Sequence, residues 1–235
     1  MISHTKKLTA LILCLAILLG LTGCGRKTSH YSAYVKSLIT ANYLGQTSEY
    51  VKLTGADSAD AEALYLQNVT RLADNLSVYY GLDISGDEEL APAMVDLAKK
   101  IYGKAQFSVG QPYKDNNIYY VDVSIQPMDI LNQTNEDVYN YIDEFNNNVA
   151  AGVYNNYTKE EYEYEFASGI IGILADACNE MKYKEAETVK VRIITSEDTY
   201  YIGNEDLRAI DLAIIATKVK PLSPEDATTT DAQPE

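Results

Sequence analysis

The spacing of apolar residues changes period twice along this chain, and this change limits the folds that the chain can adopt. Between Leu90 and Ile101 apolar side chains recur every three or four residues, as in an amphipathic helix. Between Phe107 and Ile125 they alternate with polar ones, which is typical of strands with one dry face. The same succession recurs from Ile170 to Ile202, and each copy predicts a helix followed by an antiparallel hairpin. The predicted hairpin turns are Lys114 to Asn117 and Glu197-Asp198.

Most of the remaining chain has helical periodicity from Tyr31 onwards. Together these patterns predict an α+β fold that is mostly helical, in which two antiparallel β-hairpins form one four-stranded sheet packed against helices. The repeated order also indicates a divergent pseudo-repeat, with weak residue identity between its halves. Four helix starts carry predicted caps: Asp57 or Ser58, a capping box of Ser85 and Glu88, a second box of Thr158 and Glu161, and Asn204.

The start of the chain is typical of an export signal. Lys6 and Lys7 precede an apolar run from Leu8 to Leu19, which is shorter than the roughly 20 residues of a membrane-spanning helix. Four residues after this run resemble the lipobox of bacterial lipoproteins: Leu21, Thr22, Gly23 and Cys24. The resemblance implies attachment of diacylglycerol to Cys24, cleavage before it, and anchoring at the extracytoplasmic face of the cell membrane. The alternative is an ordinary signal peptide with an incidental cysteine.

Composition sets the other boundaries. We assign residues 1–23 to the signal peptide, 24–30 to a polar tether, 31–217 to a single α+β domain and 218–235 to an acidic tail that contains Thr and Pro. The tail has almost no apolar side chains to bury, so we predict that it is disordered. The tether is short, because a stretched chain spans only about 3.5 Å per residue, and this should keep the domain near the membrane.

Short motifs in the first part of the domain resemble a known group of proteins. They are Ala41-Asn42-Tyr43-Leu44-Gly45 and Tyr50-Val51-Lys52-Leu53-Thr54-Gly55, within Tyr34 to Gly55, and Ala105-Gln106-Phe107-Ser108-Val109. These segments resemble uncharacterised cell-surface lipoproteins of Gram-positive Firmicutes, and the similarity spans most of the mature domain. That family has no assigned activity, so the resemblance implies a location and leaves the function open.

The domain is strongly acidic. The whole chain has 19 basic and 34 acidic residues, for a net charge of −15. Removal of the signal takes away Lys6 and Lys7, which leaves 17 basic residues and a net charge of −17. Nucleic acid is therefore not a predicted partner, because phosphate binding needs a basic surface. The same charge is expected to repel anionic lipid headgroups.

The sequence offers few groups for catalysis. The only histidine of the mature chain is His30, close to the anchor, so Cys178 lacks the base that a nucleophilic cysteine needs and is predicted to be a buried structural residue. Three acidic clusters lie at predicted helix starts, where the helix dipole favours them: Asp57, Asp60 and Glu62; Asp87, Glu88 and Glu89; Glu160, Glu161, Glu163 and Glu165. We predict no enzyme, no catalytic residue, no metal site and no cofactor.

Tyrosine is unusually frequent, with 20 Tyr against 3 Phe and no Trp. Several tyrosines occur in neighbouring pairs, and one member of a pair on a strand points away from the core. We select Tyr120 and Tyr200 as outward members and therefore as candidate binding residues, since tyrosine suits contact surfaces. The alternative is that tyrosine replaces phenylalanine in the core, with its hydroxyl reaching water.

Three functions follow from these observations. The leading hypothesis is a membrane-anchored, non-enzymatic module that binds a peptide, a protein or an envelope component. The second is an envelope hydrolase with Asp or Glu chemistry, which needs two carboxylates about 5 to 10 Å apart in a pocket. The third is a structural subunit of an envelope complex, which predicts a large exposed apolar patch.

Overall fold

The computed structural model describes residues 29–196 and 199–218. The signal peptide, the lipobox with Cys24, most of the tether, the turn at 197–198 and residues 219–235 lie outside the described residues, so the statements made for them stay predictions. Within these ranges the elements are α1 (Ser29–Leu44), α2 (Ser48–Thr54), α3 (Ser58–Tyr80), α4 (Leu90–Tyr102), β1 (Gln106–Val109), β2 (Tyr113–Asp115), β3 (Ile118–Gln126), α5 (Ile130–Gln133), α6 (Asn135–Ala150), α7 (Lys159–Asn179), β4 (Glu187–Ser196), β5 (Thr199–Ile202) and α8 (Asn204–Ile214).

Two of the predicted helix caps are present. The carboxylate of Asp57 accepts a hydrogen bond from the backbone N–H of Ala59 at 2.8 Å and starts α3. Thr158 and Glu161 form the predicted capping box of α7, with reciprocal hydrogen bonds of 3.1 and 2.8 Å. In the described part of the chain no helix combines the length and the apolar character needed to cross a membrane.

The capping box predicted at Ser85 and Glu88 is wrong. The side chain of Asp87 takes this role instead, since its Oδ1 accepts hydrogen bonds from the backbone N–H groups of Glu89 and Leu90 at 2.8 and 2.7 Å. The spacing of Ser85 and Glu88 fits a box, but α4 begins later, at the buried Leu90. The preceding residues therefore lie outside the helix.

A two-residue turn joins β2 to β3 in the first hairpin. Asn116 and Asn117 both have positive φ angles, of 47° and 67°, which asparagine adopts more readily than other residues that carry a Cβ. Lys114 and Asp115, which were predicted to belong to the turn, lie in β2 and pair with the start of β3. β1 pairs with the other half of β3. The sheet therefore contains one more strand than the predicted four.

Both hairpins belong to one antiparallel sheet. β3 and β4 are neighbours over seven pairs, from Tyr119 opposite Ile193 to Ile125 opposite Glu187. The strand order is β1-β3-β4-β5, with β2 also paired to β3. The predicted α+β class and the joining of the two hairpins are confirmed. The helix-hairpin order also occurs twice, but the long strand comes second in the first copy and first in the second copy.

One face of the sheet is buried, and the other is open. The buried face carries the apolar side chains of the two central strands: Val121, Val123, Ile125, Val191 and Ile193. Removal of such a side chain from water stabilises the fold by about 1.5–3 kcal/mol. α1 and α8 pack against the sheet. On the opposite face, Tyr120, Asp122 and Ser124 of β3 are partly exposed, and Lys190 and Arg192 of β4 are exposed.

The first and last helices complete the same core. Near the start of α1, the ring of Tyr31 contacts Tyr200 of β5 with a centroid distance of 5.0 Å, and Tyr34 contacts it at 5.3 Å. At the other end of α1, the hydroxyl of Tyr43 donates a hydrogen bond to Asp211 of α8. α1 thus begins at Ser29, two residues before the predicted domain start, and it packs against residues from position 200 onwards.

α6 and α7 form a helical hairpin with its own aromatic cluster. Neighbouring rings in this cluster have centroid distances of 4.7 to 6.1 Å, and its members are Tyr141, Phe145, Tyr154, Tyr157, Tyr162 and Phe166. Phe145 is buried at its centre. Tyr141 of α6 lies against Gly169 of α7, where the absence of a Cβ leaves room for the ring.

Candidate interaction face of the sheet

The open face of the sheet carries a pair of stacked tyrosine rings. Tyr113 of β2 and Tyr120 of β3 are directly opposite each other, with a centroid distance of 5.9 Å and an interplanar angle of 28°. The Tyr113 hydroxyl donates a hydrogen bond to Asp122 at 2.9 Å. Loss of hydration and this bond to Asp122 raise the pKa of Tyr113, so its hydroxyl stays protonated at neutral pH. The ring pair is therefore held in one orientation on the surface.

A lysine from the neighbouring strand lies over both rings. The Nζ atom of Lys190 is 4.0 Å from the ring centroid of Tyr120 and 5.5 Å from that of Tyr113, within the range of a cation–π contact. The same Nζ is 3.3 Å from the carboxylate of Asp115. Arg192 is the cross-strand partner of Tyr120 on this face, and it is exposed. The result is an exposed surface of aromatic and cationic groups, which we call the tyrosine face (Tyr113, Tyr120, Lys190 and Arg192).

Only one of the two tyrosines selected from the sequence lies on this face. Tyr120 is partly exposed there, as expected from the alternation in β3. The outward position predicted for Tyr200 is wrong, because only 3% of this residue is exposed and its ring packs against α1. Residues two apart on a strand share a face, and Tyr200 shares the buried face with Ile202. The outward member of that pair is Tyr201, opposite Ile194.

Sequence reasoning missed the other members of the tyrosine face. Tyr113 was not assigned to a strand, and Lys190 and Arg192 were identified only as the polar side of a strand. Tyr113 contacts Tyr120 through the pairing of β2 with β3. The contact of Lys190 and Arg192 with Tyr120 depends on the register between β3 and β4, which are 60 or more residues apart along the chain. The lipidation residue Cys24 and the lipobox residues Leu21, Thr22 and Gly23 lie outside the described residues.

A polar cluster elsewhere links α1, α3 and α8. Asp211 accepts the hydrogen bond of Tyr43 and lies 2.9 Å from the guanidinium group of Arg71. Burial, and then the charge and hydrogen bond of Asp211, raise the pKa of Tyr43. Burial and the same charge raise the pKa of Tyr102, whose ring contacts Tyr43 at 5.2 Å, to about 12. Both phenols stay protonated at neutral pH, and the cluster links the three helices through these contacts.

A shallow acidic depression of about 410 Å³ lies at the start of α7. Its lining consists of acidic and tyrosine side chains: Asp87, Tyr157, Glu160, Glu161, Tyr164 and Glu165. Several of these groups already stabilise local structure. Asp87 and Glu161 take part in the caps of α4 and α7, and the Tyr164 hydroxyl donates to Glu89 at 3.1 Å. These contacts agree with the predicted role of acidic residues at helix starts.

The lone cysteine is part of the core. Only 2% of Cys178 is exposed, and burial raises the pKa of its thiol, which confirms the predicted buried position. Burial also raises the pKa of Asp206, which accepts a hydrogen bond from the backbone N–H of Arg192 at 3.2 Å. Across residues 29–196 and 199–218, no group of three or more His, Cys, Asp or Glu residues is arranged to hold a metal ion.

Comparison with known proteins gives one likeness in fold. No family model and no curated protein matches the chain. Among solved structures, the chain is similar to that of YcdA from Bacillus subtilis subsp. subtilis str. 168, which is described as a candidate lipoprotein. The TM-score is 0.55 at 14% sequence identity, over 80% of this chain and 56% of YcdA, so the chain spans little more than half the length of that protein. At this identity the likeness shows the fold. The similar protein comes from a Firmicute and is described as a candidate lipoprotein.

Proposed function

We propose that this chain is a lipoprotein of the Firmicutes cell-surface type, anchored through Cys24 at the extracytoplasmic face of the membrane. Its domain acts as a non-enzymatic interaction module, and the tyrosine face is the contact surface for a peptide, a protein or an envelope component. The lipobox order of Leu21, Thr22, Gly23 and Cys24 supports the anchor. The similarity in fold to YcdA, a candidate lipoprotein, supports it as well.

The tyrosine face is the observation that carries the binding role. Tyr113 is 37% exposed although its ring is stacked on Tyr120, and Lys190 is held over both rings. Tyrosine and arginine dominate binding energy at interfaces, because they bury a large area at a low cost in side-chain entropy. An ordered aromatic pair beside Arg192 is thus already arranged for contact before a ligand arrives.

Replacement of Cys24 by serine tests the anchor. We expect Cys24→Ser to abolish incorporation of a palmitate analogue and to release the protein from the membrane fraction, because the serine hydroxyl cannot form the thioether. Cys14→Ser is the matched control, since Cys14 lies in the predicted signal peptide and should leave labelling unchanged. Metabolic labelling followed by membrane fractionation measures both effects. Equal labelling of Cys24→Ser and the parent would refute the anchor.

Replacement of the two stacked rings tests the contact surface. We expect the double change Tyr113→Ala and Tyr120→Ala to weaken binding to isolated cell-envelope fragments at least about 30-fold, since even one hot-spot residue contributes about 2 kcal/mol or more. Tyr139→Ala is the matched control, because Tyr139 is a 48% exposed ring on α6. Binding is measured by co-sedimentation, with circular dichroism to verify folding. An unchanged affinity in the folded double variant argues against this surface.

A further inference from the structure

The position of α1 shows which end of the sheet lies nearest to the anchor. The ring of Tyr31, in the first turn of α1, contacts Tyr119 at the start of β3 with a centroid distance of 5.2 Å. The hydroxyl of Ser32 donates a hydrogen bond to the carbonyl of Gly110, between β1 and β2, at 2.5 Å. The chain therefore enters the domain beside the tip of the β2-β3 hairpin. The tyrosine face reaches the same end of the sheet, because Tyr120 follows Tyr119.

The tether is too short to let this end move far from the bilayer. This step rests on the proposed lipid anchor at Cys24. Ser29, where α1 begins, is only five residue steps after Cys24, and this stretch spans at most about 18 Å when extended at roughly 3.5 Å per residue. The far end of α1, at Leu44, is about 24 Å from its start at a helical rise of about 1.5 Å per residue. The hairpin tip is thus the end of the domain that faces the membrane.

The side chains at this end suit a membrane interface. Ile118, next to the turn, is 39% exposed, and Tyr113 is 37% exposed. Tyrosine rings concentrate at the boundary between water and lipid, because they combine an apolar body with a polar hydroxyl. Lys190 and Arg192 lie beside the rings on exposed strand positions. Aromatic and basic groups together are the usual components of an interfacial contact.

The charges favour one orientation of the domain. The mature chain has a net charge of −17, so most of its surface is repelled by anionic headgroups. Lys190 and Arg192 lie on the open face of the sheet, whereas Lys114 lies over the ring of Tyr119 on the opposite face of the hairpin. Asp115 is paired with Lys190, and the carboxylate of Asp206 lies near Arg192. The carboxylate of Asp122 already accepts the hydroxyl of Tyr113. Lys190 and Arg192 are therefore the cations that the open face offers to an anionic bilayer at the end of the sheet where the chain enters the domain.

Four charged residues outside the described ranges are known from the sequence. Arg26 and Lys27, two and three residues after Cys24, carry two positive charges. Glu197 and Asp198, which lie between β4 and β5 in the sequence, carry two negative charges.

We infer that, in the anchored protein, the tip of the β2-β3 hairpin and the adjoining tyrosine face dock on the anionic headgroups of the membrane that holds the anchor. Ile118 and Tyr113 enter the headgroup layer, and Lys190 and Arg192 contact lipid phosphates. The ligand of the proposed interaction module is thus the lipid surface itself. The anchor limits the distance between the domain and the bilayer, and the contact of the hairpin with the headgroups fixes the orientation of the domain.

Fluorescence quenching in proteoliposomes tests this contact. The full lipidated chain carries Ile118→Cys labelled with an environment-sensitive fluorophore, since Cys24 is acylated and Cys178 is buried. A second sample carries the label at Gln46→Cys, an exposed position beyond the far end of α1. We expect lipid-borne nitroxide to quench the label at 118 and not at 46 in phosphatidylglycerol vesicles. In phosphatidylcholine vesicles we expect little quenching at either position.

Removal of two cations tests the electrostatic part. We expect Lys190→Gln with Arg192→Gln to lower the ratio of docked to undocked protein about 30-fold, or roughly fivefold for each cation near an anionic surface. The matched control is Lys52→Gln with Lys159→Gln, which removes the same charge from side chains that are 73% and 74% exposed. The control should retain the quenching of the parent.

The outcomes separate the inference from the proposed function. Flotation of the vesicles first reports whether the chain is anchored, and loss of flotation refutes the anchor together with everything that depends on it. If the protein floats but the labels at 118 and 46 are quenched equally, or neither is quenched, the docking inference is overturned. The tyrosine face then remains the surface for a peptide, a glycan or a second copy. Quenching that depends on neither lipid charge nor the cations overturns it as well.

Discussion

Replacement of Gly169 by alanine is expected to lower the free energy of unfolding by about 1–3 kcal/mol. A Cβ atom at this position would overlap the ring of Tyr141, with Cε2 at 2.6 Å. The ring cannot move away without losing the hydrogen bonds that its hydroxyl donates to the carbonyls of Glu165 and Phe166, at 2.9 and 3.3 Å. It would also lose its contact with Phe145. Urea unfolding followed by circular dichroism measures the change.

Gly172→Ala, one turn later in α7, is the matched control. A Cβ atom at Gly172 has no neighbour within 4 Å, and alanine is favoured over glycine in a helix by about 0.8–1.0 kcal/mol, so this variant should be at least as stable as the parent. Removal of the ring by Tyr141→Ala should make the effect of Gly169→Ala much smaller, because the two residues are in direct contact. Equal unfolding free energies for the two glycine variants would contradict the close packing of α6 on α7.

Alkaline pH is expected to destabilise the fold by about 3 kcal/mol through Tyr102 alone, with a further loss through Tyr43. Burial and the charge of Asp211 raise the pKa of Tyr102 to about 12, against about 10 in the unfolded chain. The folded state thus holds its proton more tightly. This stabilisation is complete below pH 10 and is lost as pH rises to 12, because deprotonation then favours the unfolded state. Tyr43 shifts in the same direction.

Unfolding in urea at a series of pH values from 8 to 12 measures this loss. In Tyr102→Phe the decline between pH 10 and pH 12 should be smaller by about 2–3 kcal/mol, since the variant lacks the phenol whose pKa is raised by burial and by Asp211. Tyr139→Phe, at an exposed ring, is the matched control for loss of a hydroxyl. If the Tyr102→Phe profile coincides with that of the parent, Tyr102 does not carry the linkage.

Local patterns were sufficient where each residue could be judged from its neighbours in sequence. The capping box at Thr158 and Glu161 was predictable because both partners belong to one helix turn. The alternation in β3 correctly placed Tyr120 on the outer face. The same signal was present for Tyr200, since Ile202 two residues later fixes the buried face of β5. The prediction for Tyr200 was wrong because Tyr200 and Ile202 lie on the same face of β5, a strand of only four residues in which the alternation is short.

Contacts between distant segments were beyond local patterns. The tyrosine face needs the pairing of β3 with β4, and this register places Lys190 over Tyr120. Nothing near Tyr120 in the sequence indicates that partner. The polar cluster is a similar case, because Asp211 meets Tyr43 across 168 positions of the chain. The sequence predicts strands and faces, whereas their combination into a site depends on how the whole core packs.

The contacts between the first and last helices also bear on when the domain can fold. Tyr31 and Tyr34 need Tyr200, and Tyr43 needs Asp211, before α1 is fully packed. When a chain is delivered with its amino terminus first, α1 appears early, but Tyr200 and Asp211, against which it packs, appear only when almost all residues are available. Contacts of such long sequence separation form late, because the intervening loop must first be closed. If the chain is exported as proposed, this order of contacts would delay folding until translocation is nearly complete, and the polypeptide would stay unfolded enough to pass through the translocation machinery.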